Sequence, residues 1–357
     1  MTGSGRAAVW VLLGPHKGDN NQVLALAEAL GLPFRALTLK YKPLAHLPAV
    51  CRIASISQLA DACRLEIVPP WPSLVLGIGQ RSAPVARYIQ QASGGRTKTV
   101  RLGDPMVSHR LFDLVITTTQ YAVRDADNVV RLPITITNED AVHPNGLEAQ
   151  WLDEFAKPRR LLVIGGKTSL WRFDEQVVVD ALRTLERRAQ REGGSVLAVA
   201  SPRTSRELVA AAEAILGQQA VVTGNFPRYG ALLNGADEIH VTGDSVSMLS
   251  DAVTSGKPVG LIPLEPTRVA NFLKWAGKVR GRRFRMRDLE KFWDDLRARG
   301  LVGTIDAPRS GTLDISPMEI AVAAVNATLE GKIPEAHVMR RGKPRNSGRS
   351  AAAEPAL

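Results

Sequence analysis

Small polar residues crowd one short stretch of the sequence, VTGDSVSMLSDAVTSGKPVG at 241–260. The stretch is typical of a buried strand that turns into a helix. Such a turn needs one glycine and one capping residue, and Gly243 and Asp244 supply both. The remaining polar groups need another explanation. They are Thr242, Ser245, Ser247 and Asp251.

These groups are suited to binding a nucleotide. With Asp244 as the cap, the backbone amides of Ser245, Val246 and Ser247 would be free at the helix start, where the helix dipole also attracts anions, so the pattern predicts a diphosphate site. Asp251 lies almost two turns beyond Asp244 on the face that also carries Ser247, and we expect it to accept hydrogen bonds from a ribose. The alternative is a capped helix with a solvated polar face.

A second loop, IGGKTSLWRFD at 164–174, combines the residue types of a phosphate or acceptor cradle. Its two glycines allow close backbone approach, its lysine is a point charge for phosphate, and its two hydroxyls donate hydrogen bonds. The residues concerned are Gly165, Gly166, Lys167, Thr168 and Ser169.

Two further loops supply candidate general bases. GPHKGDNNQ at 14–22 contains His16 and Asp19, and we expect Asp19 or Asn20 to cap the helix that follows. The loop matches neither GxxxxGK followed by Ser or Thr nor GxGxxG, so a tight loop without a ligand is its alternative. Asp104 directly follows a predicted strand and precedes a proline, which is also an ordinary turn sequence.

Strand-like and helix-like segments alternate along the chain and position these loops. Continuous apolar strands that alternate with helices predict parallel sheets covered on both faces, and in such sheets ligands bind beyond the carboxyl ends of the strands. The alternation lapses over 134–158 and then restarts, so the fold class is α/β with two doubly wound domains. We expect domains over 1–145 and 146–331 and a basic, disordered tail over 332–357.

Composition excludes several classes of protein. The chain has 357 residues, 45% of them hydrophobic, and a formal net charge of +11. Two cysteines and six histidines without ligand spacing predict no bound metal and no disulfide framework. The first apolar run is too short to span a bilayer and no cleavage site follows it, so we expect a cytoplasmic protein without a signal peptide.

A basic run over 274–287 favours contact with an anionic membrane surface, which would place the protein at the periphery of the inner membrane. A solvated basic face is the alternative. Specific nucleic-acid binding is not expected, because aromatic platforms are missing around these arginines.

The stretch over 237–264 resembles the donor-nucleotide motif of GT-B glycosyltransferases. More closely, the chain resembles the family named for a plant "elongated mitochondria" fission factor, through VTGDSVSMLSDA, GDNNQ, RLGDP, FDLVI and IGG, over roughly residues 8–330. This resemblance implies two Rossmann-like domains that face a cleft, the second holding the donor and the first the acceptor. TTTQY at 117–121 departs from the family pattern, so no role is assigned to it.

Together these observations predict a GT-B glycosyltransferase without a resident cofactor. It would transfer a sugar from a nucleotide-diphosphate sugar, a UDP-sugar, to a hydroxyl of an acceptor glycan or lipid such as an envelope glycolipid. His16, or else Asp19 or Asp104, would be the base, and Lys167 or an arginine of 274–287 would stabilise the leaving diphosphate. The alternatives are a non-catalytic scaffold of GT-B shape that recruits a membrane-remodelling partner, and a sugar-nucleotide epimerase.

Overall fold

The computed structural model describes residues 8–42, 53–137, 143–279 and 287–334. Most of the predicted tail, residues 335–357, and the centre of the basic run, residues 280–286, lie outside the described residues.

The first half of the chain forms a six-stranded parallel sheet. Its strand order is β2-β1-β3-β4-β5-β6, so the chain leaves β1 in one direction and later crosses back over it. Apolar residues fill both faces of β1, as expected for a sheet covered on two sides. The strands are β1 (Val9–Leu13), β2 (Phe34–Thr38), β3 (Leu74–Ile78), β4 (Lys98–Leu102), β5 (Leu114–Thr118) and β6 (Val129–Leu132), and the helices are α1 (Lys17–Ala29), α2 (Asp61–Leu65) and α3 (Ala83–Ala92).

The second half forms a five-stranded parallel sheet in the order β10-β9-β7-β11-β12, with a two-stranded antiparallel ribbon of β8 and β13 beside it. The strands are β7 (Arg159–Ile164), β8 (Trp171–Arg172), β9 (Ser195–Ala200), β10 (Val221–Val222), β11 (Glu238–Thr242), β12 (Val259–Ile262) and β13 (Glu265–Pro266). The helices are α4 (Gly146–Asp153), α5 (Glu175–Glu192), α6 (Arg206–Leu216), α7 (Tyr229–Gly235), α8 (Val246–Thr254), α9 (Arg268–Val279), α10 (Leu289–Ala298) and α11 (Pro317–Leu329). The predicted α/β class with two doubly wound halves is confirmed.

The last helix returns to the first sheet. Although α11 lies within the range given to the second domain, it packs against α1, β4, β5 and β6. Ile320, Ala321, Ala324 and Val325 are buried there in the same apolar cluster as Val9 and its neighbours on the first sheet. Sequence periodicity identifies the buried face of such a helix, but it does not say which of two similar sheets that face covers.

The connection over 133–137 also joins the two halves. Ile134 belongs to the core of the second sheet and Ile136 to the core of the first. The Thr135 amide donates to Ser250 Oγ at 3.1 Å, and the hydroxyls of Thr137 and Thr254 lie 3.1 Å apart. The crossing therefore holds helix α8 against the first half of the chain.

Candidate functional site

A cavity of about 420 Å³ lies between the carboxyl ends of the two sheets. Its walls come from residues at or just beyond the ends of β3, β4, β5 and β6 on one side, and from the loops after β7, β9 and β11 on the other. This is the edge at which parallel sheets bind ligands, and the volume lies within the usual range for small-molecule sites.

The starts of two helices, α1 and α8, meet at this cavity. A Cβ built on Gly18 of α1 would lie 3.7 Å from Ser247 Oγ of α8. His16, Gly18 and Asp19 line the cavity from the first half of the chain, and Ser245 to Ser247 line it from the second. The predicted candidate base loop and the predicted diphosphate turn are therefore brought together.

The start of α8 differs from the predicted one in its cap. The N-cap is Ser245, whose Oγ accepts from the Met248 amide at 3.4 Å and lies 3.3 Å from Ser247 Oγ. The prediction that Asp244 caps the helix is wrong, because a network of other donors engages that carboxylate. Ser245, Val246 and Ser247 all line the cavity as the nucleotide prediction requires.

Asp244 instead fixes the loop that follows β7. Its buried carboxylate accepts from Thr242 Oγ1 at 2.7 Å and from the Gly166 amide at 3.1 Å, while Thr242 Oγ1 accepts from the Gly165 amide at 2.8 Å. A Cβ added at Gly165 would overlap the Asp244 carboxylate. These bonds fix the backbone of the loop on the side away from the cavity. The residues that line the cavity do not include Gly165, Gly166 or Thr242.

Arg203 completes this network and was missed by the sequence analysis. Its Nη2 donates to Asp244 Oδ2 at 2.7 Å, and the residue lines the cavity with a half-exposed side chain. Lys167 and Thr168 line the cavity too, whereas Ser169 does not. Lys167 is exposed and has no ion-pair partner within the described ranges. Two cations from the second half therefore flank the start of α8.

Helix α1 begins earlier than predicted. It starts at Lys17 instead of near residue 21, with His16 at the N-cap position and without a side-chain cap, so neither Asp19 nor Asn20 is the cap. Asn20 ties the turn instead, because its side chain both accepts from the Gly14 amide and donates to the Gly14 carbonyl. Asp19 thereby lies in the first helical turn, facing the cavity.

The pKa of Asp19 is raised. Burial is the largest cause, and the nearby charges of His16 and Arg287 partly offset it. A carboxylate with a raised pKa is a stronger proton acceptor than an ordinary one. His16 is exposed at the same edge of the cavity.

Asp104 and Asp251 are not among the cavity-lining residues. Asp104 Oδ1 accepts from the Met106 amide at 2.7 Å, the contact of a turn residue. Burial raises the pKa of Asp251 to about 7, and Asp251 in turn helps to raise the pKa of the Tyr229 hydroxyl. Within the part of the chain that the structure describes, the Asp251 carboxyl has no hydrogen-bond partner.

The TTTQY segment at 117–121, for which no role was predicted, forms one wall of the cavity. Thr117, Thr118, Gln120 and Tyr121 line it. Gln120 also joins the two halves, because its Oε1 accepts from Arg287 Nε at 3.0 Å and its carbonyl accepts from the Asp288 amide at 2.8 Å. Arg287, the end of the basic run, is thereby held on the cavity wall.

Among the described residues, no group of three or more His, Cys, Asp or Glu side chains is placed to share a metal ion. No helix in the same ranges is long and apolar enough to cross a membrane.

The model of the mitochondrial fission ELM1 family matches residues 17–319. The chain belongs to this family. The uncharacterized protein RP120 of Rickettsia prowazekii (strain Madrid E) is 22% identical over 291 residues, which covers 70% of this chain and 82% of that protein.

Two solved structures show the same fold. The co-structure of S. aureus MnaA with UDP has a TM-score of 0.51 at 11% identity and covers 90% of this chain and 96% of that one. The spinosyn forosaminyltransferase SpnP has a TM-score of 0.50 at 14% identity and covers 92% and 95%. The member of the ELM1 family described here therefore has the GT-B fold, two Rossmann-like domains around a cleft.

Proposed function

We propose that this family member is a glycosyltransferase that uses a nucleotide-diphosphate sugar, a UDP-sugar, as donor. The proposal rests on the observation that two kinds of chemical group lie on opposite sides of one cavity. Groups able to accept a proton lie on the side of α1, and groups able to hold an anion lie on the side of α8. Similarity of fold to a forosaminyltransferase and to a protein solved with UDP supports the choice of donor.

The donor diphosphate would bind at the start of α8. The amides of Val246 and Ser247 and the hydroxyl of Ser247 are hydrogen-bond donors that would bind the diphosphate there. The helix dipole would add a favourable field for the anion. Lys167 and Arg203 would neutralise the charge that develops on the leaving diphosphate. Asp244 would hold Arg203 in place through their 2.7 Å ion pair.

Direct displacement of the diphosphate needs a base for the acceptor hydroxyl. Asp19 fits this role best because it lines the cavity opposite α8 and its pKa is raised, and His16 is the second candidate. Asp104 is the third candidate, because it lies outside the cavity lining and its carboxylate already accepts from the Met106 amide. The acceptor, a glycan or lipid hydroxyl, would enter from the side of Thr117 and Tyr121.

Asp251 remains our candidate for the ribose contact. It lies on α8, well beyond Ser247, and burial disfavours its ionised form. Groups whose pKa values are perturbed by desolvation are concentrated at functional sites.

Calorimetry with UDP and UMP tests the diphosphate site. We expect UDP to bind more tightly than UMP, and Arg203→Ala to weaken UDP binding by about tenfold to a hundredfold, because a hydrogen bond to a charged group is worth roughly 1.5–3 kcal/mol. Arg183→Ala, which removes an exposed arginine of α5, is the control and should bind as the wild type does.

Absence of UDP and UDP-sugar binding at millimolar concentration would refute the donor site and favour the non-catalytic scaffold. If the donor binds, product analysis decides the reaction. A sugar altered without any acceptor would indicate an epimerase. Sugar transfer that is lost in Asp19→Asn and retained in His16→Ala would identify Asp19 as the base.

A further inference from the structure

Helix α9 carries an apolar ridge on its outer side. Val269, Phe272 and Trp275 are 61%, 61% and 60% exposed. Their spacing of three residues places them along one side of the helix. The rings of Phe272 and Trp275 lie 5.8 Å apart and form a continuous aromatic surface. Soluble proteins seldom expose such large apolar side chains side by side, so the ridge needs an explanation.

The inner side of the same helix is anchored. Ala270 is fully buried, and α9 packs against β13, which pairs with β8. Just before the helix, the Thr267 amide donates to the Leu170 carbonyl at 3.0 Å, two residues beyond Thr168 of the cavity wall. The outer ridge is therefore held in a fixed position relative to the cavity.

The ridge is too small to hold a second copy of the chain. Aromatic side chains bury roughly 150–250 Å² each, so Phe272 and Trp275 at this exposure, together with the smaller Val269, offer on the order of 300 Å². Stable protein interfaces bury about 800 Å² on each partner. A bilayer does not need a complementary surface, and it takes up isolated tryptophan and phenylalanine side chains at its interface.

Charge identifies the kind of bilayer. The sequence over 274–287, KWAGKVRGRRFRMR, has seven lysine or arginine residues and no acidic residue. Arg268 adds an exposed cation at the start of α9. Clusters of basic residues next to an exposed apolar helix face bind membranes that contain anionic lipid, each cation contributing near the surface.

We propose that the outer face of α9, formed by Val269, Phe272 and Trp275, docks on the surface of a bilayer that contains anionic lipid. The helix lies in the plane of the interface and inserts its aromatic side chains among the lipid headgroups. The Thr267 amide before α9 bonds to Leu170, two residues beyond Thr168 of the cavity wall, so docking of α9 places the cavity next to the membrane. The inference is independent of the reaction that the cavity carries out.

Flotation with vesicles tests the proposal. We expect the full-length protein to float with vesicles of phosphatidylcholine and phosphatidylglycerol, to float poorly with phosphatidylcholine alone, and to be released by salt. Phe272→Ser/Trp275→Ser should reduce partitioning about tenfold or more. Trp275 is the tryptophan with the greatest exposure among the described residues, so its fluorescence should shift to the blue on binding.

Leu65→Ser/Val68→Ser is the matched control. It removes two apolar side chains, 78% and 50% exposed and three residues apart, from the surface of the first domain, and it should float as the wild type does. Equal flotation of Phe272→Ser/Trp275→Ser and wild type would overturn the proposal. So would a wild type that does not float but sediments as a dimer that this variant dissociates, because the ridge would then bind a second copy.

Discussion

The ionisation of Asp251 makes the stability of the protein depend on pH. Its side chain is half-buried and has no hydrogen-bond partner within the described residues, and desolvation raises its pKa to about 7, against an ordinary value of 3.8. The folded state therefore keeps the proton at pH values where the unfolded chain has lost it. Stability falls as pH rises from about 4 to about 7, by up to roughly 4 kcal/mol at 1.36 kcal/mol per pKa unit.

Asp251→Asn should remove this pH dependence, because the amide does not ionise. We expect the variant to unfold with a free energy on the order of 1–4 kcal/mol above that of the wild type at pH 8, and with nearly the same free energy at pH 4. Urea denaturation at the two pH values measures the difference. Asp294→Asn, at an exposed position of α10, is the control. A difference that is the same at both pH values would contradict the prediction.

At the scale of elements, the loop between β7 and β8 depends on the absence of a side chain at Gly165. The loop approaches β11 so closely that a Cβ would overlap the Asp244 carboxylate, which itself pairs with Arg203. Glycine is required here for space, since its backbone conformation is an ordinary one.

Gly165→Ala should therefore displace Asp244 and loosen the Arg203 pair. Overpacking of this kind costs about 1–3 kcal/mol, and UDP binding should weaken with it. Thermal unfolding and calorimetry measure the two effects. Gly224→Ala is the control, because an added Cβ there meets no atom within 4 Å. If both variants were equally stable, the close approach of the loop to Asp244 would not be a constraint on the fold.

At the scale of the whole molecule, α11 connects the end of the chain to its beginning. The helix follows the second sheet in sequence but covers the first, where Ala324 is buried and the neighbouring Ala323 is exposed. The core of the first domain is therefore completed by a helix that follows the whole second sheet in sequence.

Ala324→Asp should destabilise the first domain by more than about 3 kcal/mol, because it places an unpaired charge in an apolar core. Hydrogen exchange measured by mass spectrometry should show faster exchange in β4, β5 and β6 than in β7 and β11. Ala323→Asp, on the exposed side of the same helix, should leave exchange unchanged. Equal effects of the two substitutions would show that α11 does not contribute to the first core.

The sequence by itself determined the elements and the loops that could carry chemistry. Apolar runs such as Val9–Leu13 and residues 161–164 of β7 form strands, because burial on both faces of a sheet leaves a continuous apolar signal in the sequence. His16, Lys167 and Ser247 stood out for a similar reason, since glycine, hydroxyl and charged residues directly after a strand are a local pattern.

Only the tertiary structure decided which loops meet and what each polar group contacts. Asp244 has the local pattern of a cap, yet its partners Arg203 and Gly166 lie 41 and 78 residues away in sequence. Gln120 at the cavity wall and Ala324 under the first sheet were hidden for the same reason. Contacts between distant residues depend on how the two sheets face each other, and no short-range periodicity records that arrangement.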